Sequence, residues 1–226
     1  MASISGASPI VNPLEVNLLA IQTKPRDYNR GITNDQRQAM SRFDKEYFDD
    51  PNYPGYGGYH YNGVWKEPAR GIVDIFQLKD NSKILDIGCG KGFLLYDFKT
   101  ANSTFQTYGV DISSYALKQA PDEVRGTLGT ASCEYLPFGD SAFDLVFTAS
   151  TLHNVPEEQA RRAVREVSRV GKQHSFIMVH SYENEIEREN LLNWEATIQT
   201  ALSTDEWLRL FADEGYSGNY WFNRFP

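Results

Sequence analysis

The chain has 226 residues, 41% apolar and 23% charged, with a formal net charge of −8 at pH 7. That length and balance suit one globular domain with a substantial core. The acidic excess opposes a broad nucleic-acid or anionic-membrane footprint, which needs clustered Lys and Arg, so the expected partner is a small molecule, with no nucleic acid and no membrane.

Residues 1–32 hold Pro9, Pro13 and Pro25 among scattered polar residues and read as a flexible N-terminal arm ahead of a single domain over 33–226. No basic n-region is present, and Val16 to Ile21 is far shorter than the roughly 20 residues that span a bilayer, so a cytoplasmic location is expected. From Thr33, the run TNDQ has the form of a capping box opening a helix to about Phe48, with Met40 and Phe43 facing inward. Asp49 to Trp65 then alternates Tyr53, Tyr56, Tyr59, Tyr61 and Trp65 with Pro and Gly, unlike any regular core element. Two readings stand for it: a lid over a ligand, offering Tyr59, Tyr61 and Trp65 to a substrate, or an aromatic loop packed on the sheet. His60 within it is a candidate base or a solvated loop residue. Glu67 to Leu78 follows with the spacing of a helix, Ile72, Ile75, Phe76 and Leu78 forming its apolar face.

Lys83 to Gly92, KILDIGCGKG, joins a short apolar strand to a turn containing Gly88, Gly90 and Gly92, and Phe93 to Phe98 continues as a helix. A dinucleotide fingerprint would place its third glycine at 93, which is Phe93, and a P-loop would follow its Lys with Ser or Thr. Asp86 beside the turn would repel a phosphate and attract a cation. Asp111 ends the next strand about 25 residues later. A carboxylate there can accept both hydroxyls of a ribose, or cap a helix through Ser113 and Ser114. Further on, Phe143, Leu145, Val146 and Phe147 make a strand whose carboxyl end, at Thr148, Ala149 and Ser150, is where ligands sit in open α/β sheets.

Asp86 with GCGKG, then Asp111, then SCEYLPF from Ser132 resemble, in order and spacing, the motifs of class I S-adenosylmethionine (SAM) dependent methyltransferases. The resemblance implies an α/β, Rossmann-like, doubly wound and mostly parallel seven-stranded sheet with a helical and aromatic N-terminal lid. It implies SAM as cofactor, a sulfonium and ammonium ligand without phosphate. Asp86, Gly88, Cys89, Gly90 and Gly92 would cradle its amino-acid end, Asp111 its ribose, and Ile112 the adenine face. Ser132, Cys133 and Glu134 would read the adenine edge, although Ser132 stands where many members have Asp, which leaves the backbone near Cys133 and Glu134 as the main reader. Thr148 would border the methyl group. Cys89 and Cys133 lack metal-ligand spacing and are expected as reduced thiols, and no metal is expected.

TLHNVPEE, from Thr151, places His153 and Asn154 beside the expected methyl donor. His153 is the first candidate for a general base, against a purely structural bond to its loop, and Asn154 for a substrate contact. Pro156 to Val170 reads as a helix whose Arg161, Arg162, Arg165 and Arg169 alternate with Glu157, Glu158 and Glu166, a solvated ion-paired face. Phe176 to Val179 is the fifth strand, delivering His180 as a further catalytic candidate and Tyr182 as a substrate contact. His174 is expected in a surface turn at its other end. Glu183 to Glu195 and a capped helix from Ser203 follow, and Gly215 to Phe225 suits closing strands.

The Tyr/Gly lid, the TLHN turn, Asn193 with Trp194, and GYSGNYWF together are similar to small stand-alone bacterial methyltransferases of surface-polysaccharide and other small-molecule pathways, over about residues 40–226. That resemblance implies methyl transfer from SAM to oxygen or nitrogen of a small acceptor, sugar-like or phosphorylated. The alternatives are a SAM-binding module that regulates or scaffolds a partner, and methylation of protein or tRNA.

Overall fold

The computed structural model describes residues 27–53, 55 and 59–226. Most of the expected N-terminal arm, and Tyr56 of the lid, lie outside the described residues. Six strands form one sheet: β1 Lys83–Ile87, β2 Gln106–Asp111, β3 Leu128–Thr130, β4 Phe143–Ala149, β5 Gly171–His180 and β6 Asn219–Asn223. Their order is β3-β2-β1-β4-β5-β6, and every pair is parallel. The chain therefore has the Rossmann-like architecture, with six strands among the described residues rather than seven. The difference lies in 215–225, where Tyr216 turns back so that its hydroxyl donates to the Asn219 carbonyl at 2.7 Å. The remaining residues then fit one strand and no hairpin.

Parallel strands buried on both faces need apolar side chains on each, and the period of two divides them. Leu85, Ile87, Val146, Ile177 and Val179 face α7 (Glu157–Val170) and α9 (Thr204–Asp213). Ile84, Leu145, Phe147, Phe176 and Met178 face α3 (Lys66–Ile75) and α4 (Phe93–Ala101). Each fully buried Leu, Ile or Phe contributes about 1.5–3 kcal/mol relative to exposure. α5 (Ser114–Lys118) and α6 (Asp122–Arg125) lead from β2 to β3.

At the N-terminus the expected single helix is two, α1 (Asn34–Met40) and α2 (Lys45–Phe48). Thr33 and Gln36 form the expected capping box, but Phe43 has φ 51°, a left-handed conformation that ends any continuing helix. Asp44 then caps α2. His174 lies within β5, its ring against Phe76, rather than in a turn. α8 (Glu185–Trp194) connects β5 toward α9, which starts with the second expected capping box, Ser203 with Glu206. Among the described residues no helix is long and apolar enough to cross a membrane.

Candidate functional site

A cleft enclosing about 1020 Å³, open mouth included, lies at the carboxyl ends of β1, β2 and β4, where the strand order reverses. Its floor is the glycine turn. Gly88 has φ 77°, and a Cβ on it would lie 2.0 Å from Thr151 Oγ1, so only glycine lets the β1 turn pass under the segment that follows β4. The next turn is set by Asp111, whose Oδ2 accepts the Gly90 N–H at 2.7 Å while Oδ1 accepts the Ser113 N–H at 2.8 Å. Ser113, rather than Asp111, caps the helix that follows, through the Ala116 N–H, and Asp111 lines the cleft from the turn before it. Burial raises the Asp111 pKa, and the hydrogen bonds from the Ser113 and Gly90 backbone oppose the rise.

Asp86 is the electrostatic centre of the site. It is 5% exposed at the cleft, and burial followed by the negative charge of Asp111 pushes its pKa up to about 8. A fixed carboxylate held this way is unstable until a cation arrives, which fits an ammonium or sulfonium ligand and not a phosphate. No Lys or Arg lines the cleft among the described residues.

The structure gathers most of the expected binding residues on this cleft: Asp86, Gly88, Cys89, Gly90, Asp111, Ile112, Ser132 and Cys133, with Tyr59, Trp65 and Asn154 on the outer wall. Ile112 remains 51% exposed, an apolar surface available to a flat ring. Both cysteines are free and buried, and burial raises both thiol pKa values, so they are protonated and unreactive.

Several expected residues are elsewhere. Gly92 starts α4 and packs toward Leu128 and Val124, behind the turn. The Glu134 side chain is held by Arg162 at 2.6 Å. Thr148 is fully buried between β1 and β5. The Tyr61 hydroxyl donates to Asp97 at 2.7 Å, with its ring against Phe93 and Tyr96. His60 is exposed away from the cleft lining, and Tyr182 bridges to Ser203 through its backbone. His153 is fully buried behind the lining, stacked on His180. Its Nδ1 accepts the His180 backbone N–H at 3.2 Å, the structural role weighed for it.

Other residues enter the site without a sequence signal. Phe43, Tyr47 and Phe48 wall the cleft opposite the glycine turn. Lys91, the variable position of GCGKG, is 4% exposed; its Nζ donates to Asp49 Oδ1 and Oδ2 at 2.6 and 2.7 Å and to the Tyr59 carbonyl at 2.8 Å. The Tyr115 hydroxyl donates to the same carboxylate at 2.8 Å. Only the folded contact between α2 and the turn reveals this clamp. Glu195 packs beside the two stacked histidines. His153, His180 and Glu195 offer three ligand-type atoms within 4.8 Å of one another.

A family model described as a methyltransferase domain matches residues 85–179. The chain is 30% identical over 122 residues to 27-O-demethylrifamycin SV methyltransferase of Amycolatopsis mediterranei, covering 49% of this chain and 44% of that one. It is 29% identical over 123 residues to malonyl-[acyl-carrier protein] O-methyltransferase of Legionella pneumophila, covering 53% and 43%. The chain therefore spans less than half the length of these two relatives. Among solved structures, the YcgJ protein of Bacillus subtilis superposes with a TM-score of 0.52 at 24% identity, over 65% of this chain and 66% of that one, a likeness of fold.

Proposed function

We propose that this chain, whose residues 85–179 match a methyltransferase-domain model, is a class I SAM-dependent methyltransferase that moves a methyl group from SAM to an oxygen or nitrogen of a small-molecule acceptor. The observation that carries this reading is the pair of buried acids, Asp86 and Asp111, meeting at a glycine-floored cleft with no lining Lys or Arg among the described residues. Asp86 would hold the ammonium end of the cofactor, Asp111 its ribose hydroxyls, and the Gly88 to Gly90 backbone the atoms between them. Ile112, Ala131, Ser132 and Cys133 would enclose the adenine. When bound, SAM supplies a methyl group on a positively charged sulfur, activated toward attack in line with the breaking bond.

The protein's part is to hold an acceptor at attack distance and shield it from water. Tyr59 and Trp65, with Phe43, Tyr47 and Phe48, offer rigid aromatic area for an acceptor with an apolar or sugar-like face. A lining without Lys or Arg among the described residues favours an uncharged acceptor over a phosphorylated one. His153 lies too deep to touch an acceptor, and His60 is exposed outside the cleft lining. Incubation with methyl-labelled SAM and a panel of small hydroxyl and amino compounds tests the reading by product formation. Absence of SAM binding by calorimetry would remove it, and binding without turnover on any acceptor would favour the regulatory-module alternative.

A further inference from the structure

His180, the last residue of β5, stands between groups from two other segments. Its Nδ1 is 3.0 Å from Oε2 of Glu195, which caps the C-terminus of α8. No hydrogen bond forms along that line, so the contact is electrostatic. On its other side, His180 Nε2 is 3.2 Å from Ser150 Oγ, and Ser150 lines the cleft.

Ser150 has φ 55°, a left-handed conformation that is strained for a non-glycine residue. Its N–H donates to the Met178 carbonyl at 3.0 Å and its carbonyl accepts from Asn154 Nδ2 at 3.0 Å. The strained turn is therefore held from both sides, and it puts one hydroxyl within reach of both the cleft and the imidazole.

Charge assigns the proton: the Glu195 carboxylate 3.0 Å from Nδ1 favours the neutral tautomer with its hydrogen there, which leaves Nε2 as an acceptor for the Ser150 hydroxyl. Burial alone would raise the Glu195 pKa, but the close His180 ring lowers it. His153 stacks on His180 with ring centroids 4.0 Å apart, and burial followed by the charge of His180 holds its pKa well below the usual value. It is a neutral plate behind the reactive ring. The Phe225 ring edge and the Trp207 indole, which donates to the His180 carbonyl, complete the surroundings. Glu195 and His153 are the titratable groups facing His180 among the described residues.

We infer that Glu195, His180 and Ser150 form a proton relay that draws the proton from an uncharged hydroxyl acceptor in the cleft. The inference rests on the methyl-transfer reading and narrows it to oxygen. The acceptor oxygen forms a bond to the methyl carbon as the carbon–sulfur bond breaks, the electron pair staying on sulfur. The acceptor's proton passes to Ser150 Oγ, whose own proton moves to His180 Nε2, and Glu195 balances the imidazolium. An alcohol needs this help because its oxygen becomes strongly nucleophilic only as the proton leaves, whereas a neutral amine attacks with its own pair. Occupation of the same three residues by a metal ion is opposed by the stacking. Two rings at 20° and 4.0 Å cannot both aim an in-plane lone pair at one ion.

The test uses the whole chain labelled with 15N-histidine, with ring-nitrogen spectra recorded from about pH 5 to 9. The relay requires neutral His180 to carry its proton on Nδ1 and to lose that preference in E195Q. A proton on Nε2, a tautomer unchanged in E195Q, or stoichiometric zinc or iron in the purified protein would overturn it. In parallel, methyl-labelled SAM is supplied with uncharged sugars and phenols and with their phosphorylated and aminated counterparts. H180Q is expected to lower turnover of the hydroxyl compounds by roughly 100- to 10,000-fold and to remove the acidic limb of the pH profile. SAM affinity should stay within about twofold. Wild-type turnover by H180Q, or preference for the phosphorylated or aminated set, would contradict the relay. Failure to bind SAM would instead strike the parent reading, leaving the His180 tautomer to be judged separately.

Discussion

Asp86 illustrates a residue placed against its own protein's stability. An Asp in the unfolded chain titrates near 3.9, whereas the folded site holds Asp86 protonated up to about 8. With the folded pKa raised, the native state binds the extra proton between these values, so stability is fully present below about pH 4 and falls as pH rises toward 8. Asp86→Asn keeps the shape and removes the buried charge. It should raise the melting temperature at pH 8 while leaving it nearly unchanged at pH 4, measured by thermal unfolding without ligand; equal shifts at both values would contradict the buried-charge account. Asp111 has a second duty through the Gly90 and Ser113 amides. Asp111→Ala should weaken SAM binding by about 1–3 kcal/mol by calorimetry and also lower stability, because two buried amides lose their acceptor. The place of these two acids at the cleft was legible in sequence because each stands at the end of a strand, before a glycine turn or a helix start. The burial of His153 was not, since a histidine in the turn after a strand reads the same whether it faces the cleft or the layer behind it.

At the scale of elements, local chemistry marked what it controls and no more. Both capping boxes formed at Thr33 and Ser203 because their hydrogen bonds span three residues. The arginines of α7 are ion-paired as expected, Arg161 with Glu157, Asp213 and Glu214 and Arg169 with Glu166 and Asp140. Breaks and edges escaped the reading. The left-handed turn at Phe43 carries no Gly or Pro signal, β3 is three residues long, and β5 begins at Gly171 directly after α7. The clamp of Lys91 on Asp49 joins positions 42 apart and is invisible to any periodicity. Burial tends to raise the Asp49 pKa, but the hydrogen bonds from Lys91 and Tyr115 prevail and lower it, so its contribution is present above the ordinary carboxylate range and lost on acidification. Lys91→Met leaves that carboxylate without its cation and should cost on the order of 3 kcal/mol in urea unfolding. Hydrogen exchange should accelerate over 45–53. An unchanged midpoint and unchanged exchange would show that the clamp does not hold α2 to the glycine turn.

For the molecule as a whole, the order β3-β2-β1-β4-β5-β6 sets the crevice where the chain switches direction, and the sequence indicated that crevice through the spacing of Asp86, Asp111 and Ser132. It overstated the sheet by one strand, because alternating aromatics in 219–223 describe the faces of a strand but not how many strands share the segment. Leu85 through Val179 could be assigned to a core by hydrophobicity alone, whereas the aromatic wall at Phe43, Tyr47 and Phe48 depends on how α1 and α2 fold back over the sheet. The account as a whole stands on the cleft's negative centre meeting a cationic ligand. The most direct measurement is calorimetric titration of SAM onto the wild-type chain and Asp86→Asn, at several values from about pH 6 to 9, because the cofactor's own amine titration cancels in the ratio of the two affinities. The ratio should favour wild type, rise with pH through about 8, where Asp86 is half ionised, and level toward pH 9; equal affinities across the range, or no binding to the wild-type chain, would contradict it.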